Sequence, residues 1–305
     1  MTRGFQSGLH RFAVLLAACT VFLLAAGASV TSNDAGLAVP DWPFSYGSLM
    51  PPMVGGIFYE HGHRIVATTV GFLTILLAVC LQRREPRAWM RRLGWIALAG
   101  VIAQGILGGI TVKFFLPPAV SISHATLAQL FFCAVVSLAV FTSRWWHSDI
   151  PRLQTASQPP LRGWAVASFV VVLVQLILGA AFRHKVLGIL PHALWAVVVG
   201  YVVFRTAAIA RDRRLESVPA FRRIARFIHV FLGLQLCLGG AALWARLATA
   251  DYPQPMPVMV WTTVIHVVFG ALVLGTVVVL ALCAFRVLGP AAGYAAESRR
   301  EGATA

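Results

Sequence analysis

Five consecutive residues, Glu60-His61-Gly62-His63-Arg64, place a carboxylate, two imidazoles and a guanidinium at the lip of an apolar run beginning at Ile65. On a helix Glu60 and His63 are three apart and share a face. An imidazole at the edge of hydrocarbon has the placement that an axial haem ligand needs, and a neighbouring carboxylate can do acid/base work. The plainer reading is a set of interfacial polar residues capping a membrane helix. Three more histidines, His124, His192 and His266, shift the balance, because they recur at similar depth in later apolar runs. Intramembrane ionisable residues mark function by default. Two imidazoles from two helices of a four-helix bundle can clamp a haem iron. Hydrogen-bonded packing and proton relay are the competing roles, whereas zinc would require a tighter cluster with Cys or carboxylates. Arg64 and Arg183, near the same level, are candidate contacts for haem propionates, against snorkelling to lipid phosphate.

The elements that carry these residues are membrane helices. The chain has 305 residues, 59% hydrophobic and 11% charged, with a mean hydropathy of +0.79. A soluble chain would carry roughly 25% charge. Apolar runs of membrane-spanning length (about 17–25 residues) lie near 12–30, 64–82, 93–113, 121–142, 163–182, 191–208, 224–246 and 259–285. The first also fits a cleavable signal peptide, but removing it would leave an odd helix count. The formal charge of +15 does not imply nucleic acid, because Arg and Lys concentrate in alternate loops. One side holds Arg3 and Arg11, the 83–92 and 144–162 loops, the 205–226 loop, and Arg286, Arg299 and Arg300. The other holds only Arg64, Lys113, Arg183, Lys185 and Arg246. Both termini are therefore expected in the cytoplasm. All five cysteines fall inside apolar runs, leaving no loop disulfide or CxxC metal site.

A repeat organises the runs. Gln104-Gly105-Ile106-Leu107-Gly108-Gly109 returns as Gln175-Leu176-Ile177-Leu178-Gly179-Ala180 and Gln235-Leu236-Cys237-Leu238-Gly239-Gly240. Small residues let helices approach, and Gln can hydrogen-bond across the interface. The expected architecture is all-α and integral to the membrane, with eight helices as two pseudo-symmetric four-helix bundles. Its parts are an N-terminal half at 1–146, a linker at 147–162, a C-terminal half at 163–289 and a tail at 290–305. The four histidines open or nearly open the even-numbered helices, two per half. His229, at the opposite end of its helix, reads as structural. His10 and His147 read as solvated, His184 as a surface residue or a propionate contact, and His61 as facing away from His63. The 31–62 loop, with Pro40-Asp41-Trp42-Pro43, is long enough to suggest function.

Glu60-x-x-His63-Arg64, Gly36-Leu37-Ala38-Val39-Pro40-Asp41-Trp42-Pro43, Gln104-Gly105-x-Leu107-Gly108-Gly109 and Ser123-His124-Ala125-Thr126-Leu127-Ala128-Gln129 together resemble the haem A synthase family. The resemblance spans all eight runs and is more specific in the first half. It implies haem O as substrate at His63 and His124 with Glu60 beside them as catalytic residue, and a haem B cofactor on His192 and His266. The implied reaction oxidises the C8 methyl of haem O to a formyl group through hydroxylated intermediates, for cytochrome oxidase. It further implies a bacterial-type inner membrane, a separate electron donor and haem O synthase as a candidate partner, and it admits an oligomer. Val39 and Ser45 stand where many members carry Cys. The second half has a short outer loop, Arg183 to Leu190, without a second Pro-Asp-Trp-Pro, and Ala193 follows His192 where Arg64 follows His63.

Two other classes compete. A dihaem membrane cytochrome passing electrons would use the four histidines but not Glu60. A repeat-built transporter would show broken helices or mid-membrane charges, and here the polar residues gather at one level. A prenyltransferase would need Asp-rich metal motifs that are absent.

Overall fold

The computed structural model describes residues 5–150, 153 and 160–289. Much of the expected linker, the whole expected tail at 290–305, and Arg3, Arg152, Arg299 and Arg300 lie outside the described residues. Eight long helices form the fold: α1 (Ser7–Ser32), α2 (Gly55–Arg84), α3 (Ala88–Lys113), α4 (Pro118–Phe141), α5 (Leu161–Arg183), α6 (Ile189–Ile209), α7 (Pro219–Ala248) and α8 (Pro257–Val287). All eight are long and apolar enough to cross a membrane. A spanning segment must satisfy its backbone internally, which a helix does. Proline opens α4, α7 and α8, where its missing N–H costs nothing and its fixed φ suits the first turn.

Several helices begin earlier than their apolar runs. The largest extension is α2, which starts at Gly55, so His63 lies two turns inside it rather than opening it. Hydropathy marks where hydrocarbon starts, but a helix continues outward as long as something covers it. Here the cover is the loop 33–54, shorter than the 31–62 expected. The α5 helix likewise begins at Leu161, inside the expected linker, while a short helix at Arg144–His147 straddles the expected end of the first half.

Neighbouring helices pack as hairpins: α1 on α2, α3 on α4, α5 on α6 and α7 on α8. Further contacts close each set of four, with α2 on α3 and α1 on α4, then α6 on α7 and α5 on α8. Across the seam α8 touches α1 and α4, and α4 touches α5. Of the eight, α8 has the largest buried share, 56% of its apolar window. It is apolar on every side, as a helix surrounded by others must be. Gly275 of α8 gives Phe132 of α4 its place: a Cβ there would stand 3.0 Å from the ring. The α2–α3 turn is held by Glu85, which accepts from Arg87 Nε at 2.8 Å and Nη2 at 2.9 Å. Arg87 also donates to the Phe141 carbonyl of α4. Burial pushes the Glu85 carboxyl up, but its bonds to Arg87 outweigh this and hold it below the usual range.

Candidate functional site

The first turns of α2 grip the loop above them. Glu60 is 4% exposed, and both of its oxygens are engaged. Oε1 accepts from Arg64 Nη2 at 2.6 Å, one turn on, and Oε2 accepts from the Val39 backbone N–H at 2.7 Å. Arg64 extends the grip, donating to the carbonyls of Asp41 and Phe44, both at 2.8 Å, and of Val39 at 3.3 Å. His61 points elsewhere than His63: its Nδ1 lies 2.8 Å from Ser45 Oγ, in a buried contact. The loop folds around Asp41, whose carboxylate accepts the backbone N–H groups of Tyr46 at 2.6 Å and Gly47 at 2.8 Å. The Gly47 bond leads in lowering the Asp41 pKa, with burial opposing and the Tyr46 bond assisting. Trp42 seats on α3 against Gly109, where a Cβ would come within 2.9 Å of the indole.

The four histidines share one arrangement. Each imidazole rests its Cε1 edge against a glycine of the preceding helix. A Cβ on Gly27 would lie 3.1 Å from His63, on Gly108 3.6 Å from His124, on Gly179 3.0 Å from His192, and on Gly239 3.1 Å from His266. The glycines of α3, α5 and α7 belong to the Gln-x-x-Leu-Gly repeat. Its glutamines meet the same partners: Gln104 Nε2 donates to the His124 carbonyl at 2.9 Å, and Gln175 Nε2 to the His192 carbonyl at 3.0 Å. Gln235 Nε2 lies 3.4 Å from His266 Nε2.

This geometry suits a flat metal-centred cofactor. The His192 and His266 ring centroids are 6.2 Å apart. Two imidazoles on one metal, at metal–nitrogen bonds of about 2.0 Å, bring their centroids roughly 6–6.5 Å apart. Nδ1 of His63, His124 and His266 is buried without a hydrogen-bond partner, and a buried polar atom left so calls for an explanation. Among the described residues no three His, Cys, Asp or Glu side chains gather as a bare metal site.

Other expectations fare differently. Arg183 donates through Nη2 to the Thr31 carbonyl of α1 at 2.5 Å, bridging the seam between the two sets of four helices. His10 is not simply solvated, because its Nδ1 lies 3.1 Å from the Ala139 carbonyl of α4. His147 is exposed, with Nδ1 2.9 Å from the Ser143 carbonyl. His229 packs edge-on against Phe204 at 5.0 Å between centroids. His184, just beyond α5, is pushed below the usual imidazole value by burial and then by Arg183. Gly27 was not singled out as a site residue from sequence, and Val39 and Ser45 were noted only as standing where many members of the resembled family carry Cys. The signal at Gly27 was one small residue in the apolar first run.

Fold and site define an all-helical membrane protein whose half-buried imidazoles are borne by consecutive hairpins. The chain belongs to the COX15-CtaA family of cytochrome oxidase assembly proteins, whose model matches residues 53–292. Among similar curated proteins is Heme A synthase of Symbiobacterium thermophilum, 31% identical over 181 residues, covering 56% of this chain and 58% of the relative. Heme A synthase of Shouchella clausii is 29% identical over 185 residues, covering 59% and 60%. Heme A synthase of Novosphingobium aromaticivorans is 23% identical over an alignment covering 89% of this chain and 93% of the relative. The chain thus matches about three-fifths of the length of the first two relatives.

Proposed function

We propose that this protein is a haem A synthase, oxidising the C8 methyl of haem O to a formyl group. The observation that carries the proposal is the set of four half-buried histidines, each seated on a glycine of the preceding helix, in a chain similar to proteins named Heme A synthase. Each hydroxylation replaces a C–H bond with C–OH, and loss of water from the twice-hydroxylated carbon leaves the aldehyde. Oxygen and a separate electron donor supply the oxidising chemistry.

In this proposal the two four-helix halves divide the work. His192 and His266 hold a resident haem B, which supplies electron transfer when bound. His63 and His124 hold the substrate haem. Loop 33–54 lies over the first half and excludes water there, while Glu60 handles protons. With Oε1 on Arg64 and Oε2 on the Val39 N–H, Glu60 must part from one of them to take up a proton. Arg64 and Arg183 remain the proposed propionate contacts, although each now has a protein acceptor. The protein sits in a bacterial-type inner membrane with both termini cytoplasmic, and haem O synthase is a candidate supplier of substrate.

A second reading, a non-catalytic dihaem cytochrome, is favoured by one feature: both Glu60 oxygens are already engaged. Haem extraction from aerated cells that supply haem O separates the two. Haem A or its hydroxylated precursor, formed only with the intact chain and lost in Glu60→Gln with bound haem retained, is the expected result. Bound haem without conversion in the wild type, with reductant present, favours the cytochrome.

A further inference from the structure

Three of the four imidazole-bearing segments are tied by a glutamine from the helix before, and the fourth is not. Gln104, Gln175 and Gln235 each stand one turn before the glycine that seats the imidazole, on the same helix face. Gln104 bonds the His124 carbonyl. Gln175 bonds the His192 carbonyl and lies 3.5 Å from His192 Nε2. Gln235 reaches His266 Nε2 directly. The amide oxygens of Gln175 and Gln235 are buried without partners. For Gln235, exchanging amide nitrogen and oxygen, a choice set by the hydrogen-bond network, would turn the oxygen toward a ring N–H as its acceptor, whereas Gln175 keeps its nitrogen toward the His192 carbonyl. On α1 the seating glycine is Gly27, and the residue one turn before it is Leu23, packed into the apolar core of the first half. Among the described residues no hydrogen bond reaches a ring nitrogen of His63 or His124, and Nδ1 of both is buried; what separates the two is the Gln104 bond to the His124 carbonyl, which ties that segment of α4 to α3.

We propose that Gln104, Gln175 and Gln235 are positioning residues for His124, His192 and His266, and that untethered His63 is the ligand that releases, so that the first half exchanges its haem. This rests on the haem sites proposed above. A ligating imidazole held by a further hydrogen bond has its ring orientation fixed before it binds and is a better donor, and losing that bond typically weakens metal binding by about 10–100-fold. A permanently bound cofactor gains from tethers on both sides. A site that must accept substrate and discharge product gains from one ligand-bearing segment tied at its backbone and one left untied. His63 lies one residue from Arg64, which holds the loop over this half, so release occurs where an exit can open.

The test uses the full-length protein, purified and loaded with excess haem O. Transfer to apomyoglobin is followed by absorbance, with low-spin electron paramagnetic resonance signals recorded in parallel. Leu23→Gln, which supplies the missing tether, is expected to slow the fastest release by roughly 10–100-fold. Gln175→Met and Gln235→Met, similar in shape but without the amide, are expected to hasten the slow release and shift the low-spin signal. A folded, haem-loaded Leu23→Gln protein that releases haem at the wild-type rate overturns the proposal. Should that variant not fold, unchanged release and spectra in both Met variants overturn it. Wild-type protein that takes up no haem overturns the proposed function itself.

Discussion

At the scale of single residues, the seating glycines separate by distance. At Gly179 and Gly239 an added Cβ stands 3.0 and 3.1 Å from imidazole carbons, closer than ordinary contact, whereas at Gly108 it stands at 3.6 Å. Overpacking of this kind costs about 1–3 kcal/mol, and here it acts on the rings proposed to hold haem. Gly179→Ala and Gly239→Ala should therefore copurify with less haem, while Gly108→Ala keeps the wild-type ratio of haem to protein. The glutamine half of this arrangement was legible in the sequence as a thrice-repeated motif. The seats were legible only as small residues, because Gly27 meets His63 from a different helix and no local spacing records that meeting. The 60–64 cluster was legible as chemistry. Its engagement of Val39, Asp41 and Ser45 was not, since those bonds depend on how the loop turns back.

At the scale of elements, loop 33–54 and the outer end of α2 behave as one unit, with Arg64 at its centre. Removing one partner of a buried ion pair costs about 3–5 kcal/mol, because the other charge is left uncompensated. Arg64→Gln should thus free the loop, seen as faster amide exchange at residues 39–47 with α3 and α4 unchanged. Asp41 adds a pH dependence whose sign follows from its lowered pKa. Its contribution to loop order is complete above the ordinary value of 3.8 and is lost as pH falls through the lower folded value. Amide exchange at Tyr46 and Gly47 should rise only in that acid range, and Asp41→Asn should raise it at neutral pH. The sequence placed the start of α2 at the edge of the apolar run. Composition reports the solvent a segment meets, and Gly55–Gly62 meets the loop rather than lipid.

At the scale of the whole molecule, the eight spans were legible because hydrocarbon thickness imposes one length on them all, and the described residues include eight helices of that kind. Orientation is a proposal from arginine placement. Reporter fusions at the 33–54 loop should be active outside the cytoplasm and fusions at the 83–92 turn inside it; the reverse pattern would invert every assignment of side. How the helices share surfaces was not legible, since α8 reads from sequence as one apolar run among eight. In the fold it touches α1, α4, α5 and α7. That position bears on biosynthesis. A ribosome finishes the other seven helices before it makes the one that joins α1, α4, α5 and α7, so through most of translation α4 presents Phe132 without its partner glycine. The second half and the seam between the halves are therefore completed only when the eighth helix arrives.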